Sequence, residues 1–248
     1  MHAIRTFSIA IMLILFTPAL IMAGTKCTPL VLSEIHVAEE TAGFIVDTRY
    51  PVLCAEAANR TIRDWVGHRL FDFKKFDPDH DLSEFPHKYE MTMNYSVWAA
   101  ASERFASIKL DVEVYSGGAH PNHWPMTWVF DMTNGTTITL EELFTDMNTA
   151  LPAVSSMCRA VLLRTLGPEI KDMIFSGTKS LEENFSRFIL NDQGIVFIFP
   201  HYQVAPYSSG EQVVTIPYAH ITEYFTPEIN QKLGLALPPP TKDIVPDI

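Results

Sequence analysis

Between residues 89 and 97 apolar and polar positions alternate without a slip. Tyr89, Met91, Met93, Tyr95 and Val97 fall on one side, and Glu90, Thr92, Asn94 and Ser96 on the other. A period of two is the mark of a half-buried strand. It recurs from Ile108 to Tyr115, and again in Trp124, Met126, Trp128 and Phe130. An aromatic face of that kind reads as core before it reads as a ligand platform. Val31–Val37 and Phe44–Val52 predict two earlier strands around an acidic turn at Glu39, Glu40 and Gly43. From about Cys54 to Phe76 the period changes. Ala58, Ile62, Trp65, Arg69 and Phe73 recur at helical spacing, with Arg60, Arg63, Asp64 and Lys74 outside, so a helix is expected there.

After residue 130 the punctuation is denser. Asn134-Gly135 is a hairpin signal, because both residues tolerate positive φ. Thr139-Leu-Glu-Glu142 has the form of a capping box opening a short helix over Leu140–Phe144. A longer helix is predicted from about Asn148 to Leu166, with Leu151, Val154, Cys158, Val161 and Leu162 inward, and Gly167-Pro168 ends it. Phe188–Leu190 and Ile195–Phe199 predict a hairpin, Val213–Ile216 a last strand, and His220 to Leu233 helical pieces. Hairpins grouped between helices indicate an α+β fold, with antiparallel sheets, packed helices and two subdomains.

The polar, turn-rich run Asp77–Pro86 is the expected boundary between a strand-strand-helix subdomain at 24–86 and an α+β domain at 87–236. Residues 237–248, proline-rich and with little to bury, are expected to form a flexible tail. The first 23 residues pair a short positive n-region ending at Arg5 with an apolar run from Phe7 to Met22 and the small residues Ala23-Gly24. That is the form of a signal peptide, and the run is short for a membrane span. The expected mature chain is exported, periplasmic or secreted, with no membrane span.

Charge narrows the partners. The chain has 18 basic and 29 acidic residues, and losing Arg5 with the leader takes the formal charge from −11 to −12. A nucleic-acid partner would need a basic footprint and is not expected; a basic protein would be attracted. An exported context permits disulfides, and Cys27–Cys54 would tie the first strand to the start of the first helix. Cys158 falls on the apolar stripe of a helix and reads as a buried, inert thiol. No cysteine–histidine spacing of a zinc site is present, and no cofactor is expected.

The candidate chemistry sits where the Ile108–Tyr115 strand stops at Ser116-Gly117-Gly118-Ala119-His120-Pro121-Asn122. A regular strand ending in a constrained polar loop is a common way to present a binding or catalytic group. Tyr115 to Asn122, followed by Asp131-Met-Thr-Asn-Gly135 and Ile138-Thr-Leu-Glu-Glu-Leu-Phe144, resembles the C-terminal domain of the anti-sigma factor RsiV. The same domain occurs beside the catalytic module of the peptidoglycan deacetylase PdaC. Gly194–Phe199 with Tyr202-Gln-Val-Ala-Pro-Tyr207-Ser-Ser-Gly210 looks like that domain's second signature, and Val214–Tyr218 like its closing strand.

The resemblance implies a non-enzymatic binding module whose partner is a lysozyme-like hydrolase or a cell-envelope component such as peptidoglycan. The binding residues expected on it are Ser116, Gly117, Gly118, His120, Pro121 and Asn122 in one loop, and Tyr202, Pro206 and Tyr207 in the other. The tyrosines and His120 would act as rigid anchors, whereas the glycines and prolines are equally explained by turn geometry. Two rival readings stand beside this one. The first is an envelope hydrolase or metal-dependent enzyme using His120 and His123, with Ser116, Asp111 or Asp131 as neighbours, although the H-x-x-H spacing lacks an evident third ligand. The second is a structural accessory domain of an envelope complex.

Overall fold

The computed structural model describes residues 29–75 and 87–236. The expected leader, Cys27, the boundary segment 77–86 and the tail 237–248 lie outside the described residues. Two sheets carry the fold. The larger has six strands in sequence order: β1 (Val31–Glu40), β2 (Phe44–Leu53), β3 (Tyr89–Ala100), β4 (Phe105–Tyr115), β5 (Asn122–Asp131) and β6 (Thr136–Thr137). The smaller contains β7 (Phe188–Leu190), β8 (Gly194–Phe199) and β9 (Gln212–Pro217). All pairs are antiparallel except β2–β3. That pair is parallel because α1 (Glu56–Phe73) lies in the connection and carries the chain back to the same end of the sheet. The strands on either side of the expected boundary therefore share one sheet.

Helix α1 covers one face of the large sheet. Its Ala58, Ile62, Val66 and Phe73 are buried against Met91 and Met93 of β3, alternate residues of β4, and Trp128 and Phe130 of β5. The aromatic face of β5 is thus core, as its pattern implies. The other α-helices are α2 (Leu140–Leu143), α3 (Met147–Leu166), α4 (Lys171–Gly177), α5 (Glu182–Phe185) and α6 (Pro227–Leu233). With the small sheet they build a second core around Leu162, Phe185, Phe197 and Phe199. The capping box of α2 is present in both halves: Glu142 N–H donates to Thr139 Oγ1, and Glu142 Oε2 accepts from Thr139 N–H.

The small sheet lies between those helices and the outer face of the large sheet. All six residues of β8 are buried: Ile195, Phe197 and Phe199 belong to the helical core, and Val196 and Ile198 pack near Trp98 of β3. Ser107 of β4 joins the two sheets. Its hydroxyl accepts from Leu190 N–H and donates to Leu190 O, each at 2.8 Å. The expected hairpin is present, with β5 and β6 antiparallel across Asn134-Gly135, but its turn differs in backbone angles. Gly135 alone of the Asn-Gly pair has positive φ, and Gly135 N–H donates to Asp131 O at 2.7 Å. Gly135 is pressed against α1, where a Cβ would come within 3.1 Å of Ala58 N, so the close packing as well as the φ calls for glycine.

Candidate functional site

The small sheet covers only part of the outer face of the large one. Beyond its edge, alternation along β3, β4 and β5 leaves polar rows in register: Thr92, Glu113 and His123 stand side by side, and Asn94, Asp111 and Pro125 form the next row. The chain between β8 and β9 runs across these rows. The result is a cleft of about 180 Å³ whose walls include those six residues together with His201 and Glu211. Lys109 bridges two of the lining carboxylates, with its ammonium 2.6 Å from both Asp111 and Glu211. Burial draws the Lys109 ammonium down, but those two hydrogen bonds outweigh it and hold the group above the usual lysine range. His123 Nδ1 lies 3.2 Å from Glu113 Oε2, which fixes the ring across neighbouring strands.

A group of rings stands at the mouth. Tyr207 stacks on His120 with centroids 4.0 Å apart, and lies 4.7 Å from His201, 5.5 Å from Tyr202 and 6.1 Å from His123. His201 in turn stacks on His123 at 5.2 Å. The Tyr207 hydroxyl donates to Pro121 O at 3.1 Å, and His120 Nδ1 lies 2.9 Å from that same oxygen. The two sequence motifs, 86 residues apart, are therefore one site.

The local backbone explains this meeting. Gly117 and Gly118 take φ of 90° and 118°, values that only glycine adopts without strain, and they turn the chain out of β4. Tyr202 also holds a positive φ, 69°, at the start of the second loop. Behind that loop, Gln203 Nε2 donates to Gly177 O and Asn184 O, each at 2.9 Å. A Cβ on Gly177 would fall 2.0 Å from Gln203 O, so α4 must present a glycine here for the loop to seat.

The expected site residues divide into two groups. His120, Pro121, Tyr202 and Tyr207 join the ring group, and Gly117, Gly118 and Pro206 shape its loops. Ser116 and Asn122 instead line a separate depression on the other face of β5, with Arg69 and Phe73 of α1. Asp111, named beside the two histidines in the enzyme reading, lines the cleft with His123, whereas His201, Glu113 and Glu211 are not singled out by sequence. His201 lies in the turn after a buried strand and the others sit at ordinary polar positions, so only the meeting of sheet and loop gives them a role. Among the described residues no group of three or more histidine, cysteine, aspartate or glutamate side chains is arranged to hold a metal ion. His120 and His123 are bridged by the Tyr207 ring rather than by a shared coordination point. Cys54 is disulfide-bonded and Cys158 is a free, buried thiol whose pKa burial pushes up. Cys27, the expected partner of Cys54, is outside the described residues. No helix among the described residues is long and apolar enough to cross a membrane.

Residues 141–219 match the family described as protein of unknown function (DUF3298), a stretch that contains the Tyr202–Gly210 loop. Peptidoglycan-N-acetylmuramic acid deacetylase PdaC of Bacillus subtilis is 25% identical over 168 residues, 67% of this chain. The chain spans 36% of that deacetylase's length. Esterase Rv3036c of Mycobacterium tuberculosis is 20% identical over 186 residues, 75% of this chain and 80% of the esterase. Two crystal structures share the fold at low identity. A DUF3298 family protein from Pseudomonas aeruginosa aligns with TM-score 0.58 at 13% identity, over 79% of this chain and 95% of that one. A member from Bacteroides fragilis aligns with TM-score 0.56 at 15% identity, over 82% and 96%. The chain thus carries a DUF3298-matching region within an α+β fold like that of solved members of the family, and is distantly related to PdaC.

Proposed function

We propose that this chain is a non-enzymatic, exported binding module of the cell envelope, and that it takes a saccharide portion of peptidoglycan on the Tyr207 ring group and in the cleft beneath. The observation that carries the reading is the 4.0 Å stack of His120 on Tyr207, locked by the hydroxyl on Pro121 O at the mouth of a polar cleft. A pyranose ring has an apolar C–H face, which suits a rigid aromatic surface, and a rim of hydroxyl groups. Asn94, Asp111, Glu113 and Glu211 supply acceptors for such a rim. The distant relative named as a peptidoglycan deacetylase supports an envelope ligand.

Titration calorimetry of the protein against soluble peptidoglycan fragments tests this. Wild type is expected to bind, with affinity reduced about tenfold or more by Tyr207→Ala or His120→Ala. Absence of binding, or equal binding by the variants, overturns it. A lysozyme tested in parallel separates the protein-partner reading, which the acidic charge would favour through steering.

One geometric feature favours a second reading. The Glu113–His123 pair orients an imidazole over the cleft, as a general base requires, and one distant relative is named as an esterase. Among the described residues no serine or cysteine lines that cleft, so the base would act on water or on the Thr92 hydroxyl. Hydrolysis of an aryl ester that His123→Ala abolishes would establish it.

A further inference from the structure

Alternation along β5 sends His123 to the cleft face of the large sheet and Asn122 and Trp124 toward α1. Near these residues β5 is a sheet edge, because β6 pairs only with Phe130 and Asp131 at the far end. The 116–122 loop accordingly serves two depressions, one on each face. The second has a volume of about 210 Å³. Phe73, Met91, Val114 and Trp124 supply its apolar surface, and Arg69, Asp72, Ser116 and Asn122 its polar groups. Ser116 and Asn122 make no side-chain hydrogen bond to any described residue, although both belong to a loop otherwise held by specific contacts. Arg69 has one Nη2 contact, 3.2 Å to Asp72, while its Nε is enclosed and has no hydrogen-bond partner. Asp72 is also paired at 3.3 Å with Lys75, which stands outside the lining, so the carboxylate of Asp72 is shared between two cations and Arg69 keeps donors free for a ligand. A guanidinium with donors to spare, beside a hydroxyl and a carboxamide over an apolar surface, fits a carboxylate carried on a small apolar group.

We infer that the Arg69–Ser116–Asn122 depression is a carboxylate subsite that takes the free C-terminus of a short peptide ending in a small apolar residue. It rests on the saccharide reading only for the source of that peptide, the stem attached to an envelope glycan. The edge of β5 lets one ligand contact both faces, with sugar at the Tyr207 rings and peptide at Arg69.

The probes are diacetyl-Lys-D-Ala-D-Ala, its C-terminal amide, and the all-L peptide, titrated into the full chain. The free acid is expected to bind about tenfold or more tightly than the amide. Arg69→Met should remove that difference. Because Arg69 also lies over the Trp65 ring at 5.8 Å and its loss could loosen α1, the loop variant Ser116→Ala with Asn122→Ala provides the check. It leaves the helix untouched and should weaken the acid and spare the amide. A saccharide fragment lacking the peptide, titrated in parallel, reads the Tyr207 ring group alone, so failure of the saccharide site is read separately. Equal affinity for acid and amide, or no binding of either, overturns the subsite, and preference for the all-L peptide overturns its assignment to the envelope.

Discussion

Strand β4 has two faces, and they differ in what they can be used for. On one, Ala106, Ile108, Leu110, Val112 and Val114 are all buried beneath α1 and neighbouring strands. On the other, Phe105 and Ser107 are equally buried under the second half of the chain, but the strand continues past that cover as Lys109, Asp111 and Glu113. The same backbone with the same period of two yields a closed core on one side and an open polar surface on the other. The difference lies in the covering element. Helix α1 runs along much of the large sheet, whereas the small sheet stops partway and hands over to a loop. A sheet face left uncovered by a rigid neighbour is a place where polar residues can be held in register and still meet a ligand.

The sharpest way to break the closed face is Leu110→Ala. Leu110 is fully buried, so the variant loses its transfer free energy and gains a cavity, at a cost of about 3 kcal/mol in urea unfolding. Its ligand binding, measured where the variant is still folded, should be unchanged, since no cleft atom is touched. On the opposite face Ser107→Ala removes the hydroxyl that serves both Leu190 N–H and Leu190 O. Two buried backbone groups are then left short of partners, and a loss of about 2 kcal/mol is expected. Because that bond joins the two sheets, amide exchange should quicken in β7 as well as β4. Exchange confined to β4 would show that the cover is held elsewhere.

How far the sequence discloses this contrast can be judged strand by strand. The alternation in β3, β4 and β5 marks both faces, and α1 and α3 follow from their apolar spacing. What alternation cannot show is where the cover ends, because that depends on residues 80 or more positions away. Helices α4 and α5 carry no extended period: each is under eight residues, and Phe175 within α4 and Leu181 just before α5 are exposed. The β3–β4 turn places Ala101, Ser102 and Glu103 at positive φ with no glycine to announce it. The Ser116–Asn122 and Tyr202–Gly210 loops are visible as motifs through their glycines, prolines and aromatic residues. Their meeting, and the recruitment of His201 and Glu211, arise only from the pairing of β8 with β9 and the seating of Gln203 on Gly177.

Lys109 marks the border between the covered and open parts of the outer face. Its side chain is 13% exposed and bridges Asp111, which is half-exposed, and Glu211. Lys109→Met leaves two carboxylates facing each other, at a cost of about 1.5 kcal/mol, below the range for fully enclosed pairs because water still reaches Asp111. The folded-state pKa lies above the ordinary value, so this stabilisation is fully present below the unfolded value near ~10.4. It disappears as pH rises through the folded value. Wild type and variant unfolding midpoints should therefore converge as pH rises through the folded value. A constant gap across that range would mean that Lys109 contributes packing rather than charge.

The smallest change tests whether the open face depends on a preformed surface. Tyr207→Phe keeps the ring and its stack on His120 but deletes the hydroxyl that donates to Pro121 O. The bond is partly exposed, so its loss should cost about 1 kcal/mol at most in stability. Its effect on binding separates two mechanisms. If the tether serves to preorganise the two loops, saccharide affinity should fall about threefold to tenfold while the shape of the bound complex is retained. Proton resonances of His120 should then broaden in the free variant and sharpen on adding ligand. If affinity is unchanged and those resonances stay sharp, the ring stack alone holds the loops together, and the 116–122 loop owes its position to Gly117, Gly118 and the end of β4 rather than to Tyr207.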